Sequence, residues 1–158
     1  MGLRVFLKKC FAKIEGRLRK SPRIGRLLLY RDIRAYWQKR GGERYFKEQE
    51  SRSDRSETSE FLAKEISSLK GSSILEVGCG YGKNLKSLRK VTDARLIGLD
   101  FSETQLKKAE EYLRGLPDIE LLKGDAERLP FADKSMDIVF TSNVLLHNPP
   151  AKAEKMRK

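Results

Sequence analysis

Ser73-Ile74-Leu75-Glu76-Val77-Gly78-Cys79-Gly80-Tyr81-Gly82-Lys83-Asn84 reads, in order, as a strand, a glycine-rich turn and the start of a helix. Ile74, Leu75 and Val77 are apolar and partly β-branched, which suits a short buried strand of a parallel sheet. Gly78, Gly80 and Gly82 alternate with Cys79 and Tyr81, and the helix-like run K-N-L-K-S-L-R-K follows. Strand, glycine turn and helix in that order open a nucleotide-binding α/β domain. Some positions of such a turn need positive φ, and a side chain would keep a ligand from the backbone. The helix start adds unpaired N–H groups and partial positive charge, suited to a carboxylate or phosphate.

Spacing separates two kinds of ligand. A dinucleotide fingerprint, G-x-G-x-x-G, would place the third glycine at position 83, which is Lys83. The third glycine is Gly82, so the pattern from Glu76 to Gly82 is E-x-G-x-G-x-G. It resembles the first motif of class I S-adenosylmethionine (SAM) dependent methyltransferases. Taken alone, a glycine turn is equally compatible with a tight turn that holds no ligand. Two later segments extend the match. L-I-G-L-D, Leu96 to Asp100, is an apolar run ending in a carboxylate 18 positions past Gly82, and a carboxylate can accept from two vicinal hydroxyls. G-D-A-E-R-L-P-F-A-D-K-S-M-D-I-V-F-T-S-N-V-L-L-H then looks like the next methyltransferase segment.

The match is nearest to the broad type 11 group of small-molecule methyltransferases and covers roughly residues 57–158. It implies a Rossmann-like parallel sheet with flanking helices, strand order beginning 3-2-1-4, and SAM as cofactor. By the same resemblance Gly78, Gly80 and Gly82 cradle the methionine part, and Glu76 organises the loop and the SAM amino group. Asp100 takes the ribose hydroxyls. Phe101 stacks on adenine, Asp125 faces the adenine amino group, and Ala126 lies beside it through its backbone. Alternatives stay open: Glu76 as a cap of local N–H groups, and Phe101 as a core aromatic. The reaction implied is transfer of the sulfonium methyl to a small-molecule acceptor.

The chain has 158 residues, 35% charged and 39% hydrophobic, with a formal net charge of +12. Residues 1–70 carry 19 Lys/Arg against 9 Asp/Glu, so the basic surplus belongs to the N-terminal part. The two cysteines, Cys10 and Cys79, stand in unrelated contexts without metal-ligand spacing, and there is one histidine. A metal site is not expected, and the composition fits a reducing cytoplasm. No apolar run approaches the ~18 residues that span a bilayer. No signal-peptide pattern is visible, and Phe6 stands where myristoylation wants Ser or Thr.

Residues 1–56 read as a basic helical extension and 57–158 as the SAM-binding domain. Leu3, Leu7, Cys10, Phe11, Ile14 and Leu18 form one face of a basic amphipathic helix over 3–20, which Ser21-Pro22 breaks. A second helical stretch runs from Ile24 to Gln38, and Gly41-Gly42 ends it. Such helices pack on a domain, or lie on an anionic membrane or on RNA through residues 1–40. An RNA- or membrane-binding module on a non-catalytic scaffold is therefore the competing reading. Residues 43–57 are nearly all polar and read as a loop or fraying helix, with Tyr45 and Phe46 either a lid over the cofactor or a small apolar contact. Thr58-Ser59 opens a helix with Phe61, Leu62, Ile66 and Leu69 on one face, stopped by Gly71.

Beyond Ser73 the expected elements are strand 74–77, helix 83–90, strand 95–99, helix 103–114, strand 119–122, strand 136–141 and a helix from about Pro149. Ser102-Glu103-Thr104-Gln105 has the form of a capping box. His147 is a candidate general base, or a half-buried histidine beside the cofactor. Asn148-Pro149-Pro150 resembles the N-P-P-Y motif of DNA methylases, but T-S-N-V-L-L-H intervenes and Ala151 replaces the aromatic. Asn148 as a helix N-cap with Pro149 at the first position accounts for it better. The family's last three strands have no counterpart, so the sheet is expected to stop at an open fourth strand, prone to self-association. Such a chain alone is expected to bind cofactor weakly and turn over little.

Overall fold

β1 (Ser73–Val77) and β2 (Arg95–Asp100) are buried almost throughout, as strands covered on both faces must be. They are the inner pair of a four-stranded sheet completed by β3 (Ile119–Lys123) and β4 (Ile138–Phe140), in the order β3-β2-β1-β4. Every pairing is parallel, with Leu75 beside Ile97 on one side and Val139 on the other. The structure, a computed structural model, describes residues 34–39, 43–148 and 150–155. The chain divides into two units, residues 1–36 and 37–158, and the sheet belongs to the second. The basic helix expected over 3–20, the start of the second stretch at 24–33 and the Gly41-Gly42 stop lie outside the described residues. Residues 34–39 are helical.

Beside residues 34–39, the helices that accompany the sheet are α1 (Glu43–Glu50), α2 (Ser53–Ser68), α3 (Lys83–Arg89), α4 (Glu103–Tyr112) and α5 (Pro150–Lys155). A 3-10 turn covers Leu145–His147. Side chains alternate across each strand, so the two sheet faces draw on different residues. Ile74 and Leu96 pack with Ala63 and Ile66 of α2, Leu85 and Leu88 of α3, and Leu106 and Ala109 of α4. Leu75, Val77, Ile97 and Leu99 face the other way, against Ala126, Phe131 and Met136 from the β3–β4 connection. Each fully buried aliphatic side chain contributes about 1.5–3 kcal/mol.

Several local expectations are corrected. Of the two readings of 43–57, loop or fraying helix, the helical one holds: α1 fills 43–50, and α2 begins at Ser53, ahead of Thr58-Ser59. The position between residues 56 and 57 lies inside α2. The buried face of α2 is Ser59, Ala63 and Ile66, whereas Phe61 and Leu69 are 65% and 66% exposed. Small side chains at 59 and 63 allow close approach, which Phe61 and Leu69 would not. Lys70, not Gly71, takes the positive φ that ends α2. Gly71 is needed for space, since a Cβ there would stand 2.8 Å from Ile138 Cδ1.

β4 is shorter than 136–141 because its flanks are used otherwise. Asp137 Oδ2 accepts from the Ser72 and Ser73 amides at 2.9 Å each and from Ser73 Oγ at 3.0 Å. Ser73 Oγ in turn accepts from the Asp137 amide at 3.0 Å. This clip fastens the amino ends of β1 and β4. At their carboxyl ends Thr141 Oγ1 donates to Val77 O at 2.8 Å. Asn148 does not cap α5: its Nδ2 donates back to Val144 O at 2.8 Å, closing the 3-10 turn, and α5 starts at Pro150. Pro149 lies outside the described residues.

Candidate functional site

The glycine turn leaves β1 with Gly78, Gly80 and Gly82 all at positive φ, 76°, 56° and 85°. Only left-handed backbone makes so sharp a reversal, and side chains oppose it. The three glycines differ in what surrounds them. A Cβ on Gly78 would stand 2.1 Å from Val144 Cγ2, and one on Gly82 would stand 2.6 Å from Leu113 Cδ1. A Cβ on Gly80 would meet nothing nearer than Gln105 Cδ at 4.0 Å. The protein's own packing therefore requires glycine at 78 and 82, whereas Gly80 borders open space where a ligand can reach the backbone.

Two buried carboxylates flank this turn. The Gly78 and Cys79 amides donate to Leu99 O at 2.6 and 3.1 Å, pinning the turn to the end of β2. One residue on, Asp100 Oδ2 accepts from the Gly80 amide at 2.9 Å and Oδ1 from the Ser102 amide at 2.8 Å. Burial raises the Asp100 carboxyl above its ordinary value, and the amides of Ser102, Gly80 and Phe101 oppose the rise. Its two oxygens offer about four lone-pair sites in all, so capacity for a further donor remains. Glu76 shares the sheet face of Ile74 and points beneath α3, where Asn84 Nδ2 donates to its Oε1 at 2.6 Å. Burial pushes Glu76 up to about 8, the Asn84 bond lowers it, and the nearby Asp100 charge adds to the rise. Cys79 is buried among these groups, and desolvation lifts its thiol well above the ordinary range.

Two buried oxygens here, Glu76 Oε2 and Gln105 Oε1, have no hydrogen-bond partner within the protein. Gln105 is the residue that the sequence reading missed. Ser102 caps α4 as expected, its side chain accepting from the Gln105 amide. In a full capping box the Gln105 side chain would return to the Ser102 amide. Asp100 holds that amide instead, which leaves the Gln105 carbonyl oxygen beside Gly80. A turn with room at Gly80, and the unpartnered Gln105 carbonyl oxygen beside it, fits a ligand carrying hydrogen-bond donors. An ammonium and ribose hydroxyls are such donors.

The remaining candidates surround the turn less closely. Phe101 is half-buried and lines a cleft of about 490 Å³ with Gln38, Thr104, Lys107 and Lys123. Asp125 closes a tight turn, accepting the Arg128 amide through its carbonyl at 2.9 Å and the Glu127 amide through Oδ1 at 3.1 Å. Ala126 packs near Leu99. His147 is exposed, and its ring lies edge-on to Trp37 at 5.2 Å. Trp37 also meets Tyr45 at 5.4 Å, and Phe46 meets Tyr81 and Tyr112 at 5.1 Å each. Tyr45 and Phe46 thus sit against the glycine turn through Tyr81. Among the described residues no group of three His, Cys, Asp or Glu is placed to hold a metal ion, and no helix is long and apolar enough to cross a membrane.

Comparison with known proteins meets the same features. A family model described as a methyltransferase domain matches residues 74–158, more than half of the chain. A sterol 24-C-methyltransferase of Aspergillus fumigatus is 33% identical over 92 residues, 56% of this chain and 24% of that protein. The chain thus spans about a quarter of the length of the sterol methyltransferases it matches. Among solved structures, phosphoethanolamine N-methyltransferase 1 of Haemonchus contortus aligns with TM-score 0.65 and 21% identity, over 84% of this chain and 29% of that one. Magnesium protoporphyrin IX methyltransferase of Synechocystis PCC 6803, solved with bound SAM, aligns with TM-score 0.64 and 22% identity, over 82% of this chain and 68% of that one. These two share the fold. The strand order, the third glycine at 82 and the family match over residues 74–158 lead to one assignment: the chain belongs to the methyltransferase-domain family, with the class I SAM-dependent fold.

Proposed function

We propose that this chain carries the cofactor-binding part of a SAM-dependent methyltransferase acting on a small-molecule acceptor. The observation that carries the reading is the positive-φ turn open at Gly80 and flanked by the buried carboxylates of Glu76 and Asp100. SAM, when bound, supplies a methyl group on a positively charged sulfur, ready for in-line attack. The chain's own residues bind and orient. The backbone of Gly78, Gly80 and Gly82 lies along the methionine part, with Gln105 Oε1 as an acceptor for donors near the turn and Glu76 organising the loop and the SAM amino group. Asp100 addresses the ribose hydroxyls through its remaining accepting capacity, and Phe101 offers a face to adenine. Asp125 and the Ala126 backbone address the adenine amino group.

Tyr45 and Phe46 exclude water from the turn, and His147 is positioned to take a proton from an attacking hydroxyl or amine. Methyl transfer relies chiefly on proximity and alignment, so His147 is not essential to the reading. Sterol, phosphoethanolamine and protoporphyrin methyltransferases among the similar proteins support a small-molecule acceptor. The test is calorimetric titration of the folded chain with SAM, S-adenosylhomocysteine and NAD. Binding of the first two, and not of NAD, is expected. Binding of NAD alone overturns the proposal.

A further inference from the structure

We propose that Glu50 is a positioning residue for the cofactor turn, joining α1 to the turn so that the seating of one governs the shape of the other. The inference rests on the reading of that turn as a SAM site. Three donors converge on this one carboxylate. Tyr81 Oη lies 3.1 Å and Lys83 Nζ 3.0 Å from Oε1, and Tyr112 Oη lies 2.8 Å from Oε2. Tyr81 is the residue between Gly80 and Gly82, and Lys83 is the first residue of α3, so two of the three donors belong to the turn itself. Peptides around Gly80 and Gly82 have no Cβ of their own to hold them, and a bond to the Tyr81 ring fixes them from outside.

Trp37, whose ring meets Tyr45 of α1 at 5.4 Å, and Gln38 are bonded to the second cofactor motif. Ser102 Oγ donates to Trp37 O at 3.1 Å and Thr104 Oγ1 donates to Gln38 O at 2.8 Å. These residues follow Asp100, whose carboxylate holds the Ser102 amide. Within α1, Phe46 packs edge-on against both Tyr81 and Tyr112. Trp37 and Gln38 are therefore held at the carboxylate corner of β2, and α1 at the glycine turn of β1. Burial raises the Glu50 carboxyl, but the bonds from Lys83 and Tyr112, the Lys83 charge and the Tyr81 bond outweigh it and keep Glu50 below its ordinary value. The group that joins α1 to the turn is thus a carboxylate at neutral pH.

The chain has one tryptophan, Trp37, whose ring meets Tyr45, so its emission reports the seating of α1. The full chain, Glu50→Ala, Glu50→Gln and Tyr112→Phe are compared by Trp emission, thermal melting and calorimetric titration with S-adenosylhomocysteine. Glu50→Ala is expected to red-shift Trp37 and to weaken binding about tenfold, the scale of one charge-assisted hydrogen bond. Glu50→Gln, which keeps one acceptor oxygen but puts an NH2 donor in place of the other and removes the charge, falls between Glu50→Ala and the parent. Tyr112→Phe, which removes only the donor outside the turn, melts lower with affinity unchanged. Parent affinity in Glu50→Ala overturns the inference and leaves the SAM reading standing, as does affinity that merely tracks melting temperature across the three variants. A parent chain that binds neither SAM nor S-adenosylhomocysteine removes the SAM reading, and this inference with it.

Discussion

Asp100 Oδ2 stands 2.9 Å from the Gly80 amide, so the last residue of β2 holds the middle glycine of the turn that ends β1. Its other oxygen holds the Ser102 amide at 2.8 Å, the start of α4. A single carboxylate thereby fixes two loops at the carboxyl ends of neighbouring strands, where open α/β sheets place their ligands. It shapes the site before any ligand arrives.

That double duty separates two substitutions. Asp100→Ala leaves two amides without acceptors, each costing about 1–3 kcal/mol when buried. Asp100→Asn keeps one oxygen and should melt between the parent and Asp100→Ala. Both should lose affinity for S-adenosylhomocysteine. Melting curves and calorimetry on the three proteins check this, and a parent-like melt of Asp100→Ala would confine Asp100 to ligand contact.

The glycines should respond in a fixed order. Gly78→Ala drives a methyl to 2.1 Å from Val144, and Gly82→Ala drives one to 2.6 Å from Leu113. Both add that clash to the left-handed penalty of about 1–2 kcal/mol. Gly80→Ala carries the penalty alone, since its Cβ has room. It should be the most stable of the three, yet bind SAM far less well than the parent. If Gly80→Ala binds normally, the open side of the turn is not where the ligand lies.

Glu76 gives a pH dependence of unusual sign for a carboxylate. Its folded value of about 8 lies above the ordinary 4.5, so the folded chain holds this proton more tightly than the unfolded chain. The contribution is complete below about 4.5 and is lost as pH rises towards 8. Glu76→Gln, always neutral, should therefore gain stability relative to the parent between pH 5 and pH 8. Melting both proteins across that range checks it, and a gap that stays constant with pH refutes it.

What could be read from residues alone was what depends on neighbours in sequence. Apolar runs ending at Val77 and Asp100 announced buried parallel strands, and glycines at 78, 80 and 82 announced the turn. The segment 43–57 stays undecided between loop and fraying helix on its residues alone because it is nearly all polar, with only Tyr45 and Phe46 to mark an inner face. It is helical because Phe46 rests on Tyr81 and Tyr112, and Glu50 finds donors 31 and 62 positions away. Gln105 was read as half of a capping box because its competitor for the Ser102 amide, Asp100, is recognisable only in three dimensions. Phe61 and Leu69 misled for a related reason: α3 comes close enough that Ser59 and Ala63 are preferred on the inner face.

The clip between Ser73 and Asp137 also constrains the order in which the sheet is assembled. Its partners are 64 positions apart, and β2 and β3 are synthesised between them. As the polypeptide emerges from the ribosome, β1 can pair with β2 at once, but its other edge stays unpaired until β4 arrives. The closing entropy grows only slowly with so long a separation, and four hydrogen bonds at the strand ends set the register when contact is made. β4 is therefore seated after β2 and β3, and until then the nascent chain is open to wrong pairing along the edge of β1 that Ile138, Val139 and Phe140 later cover.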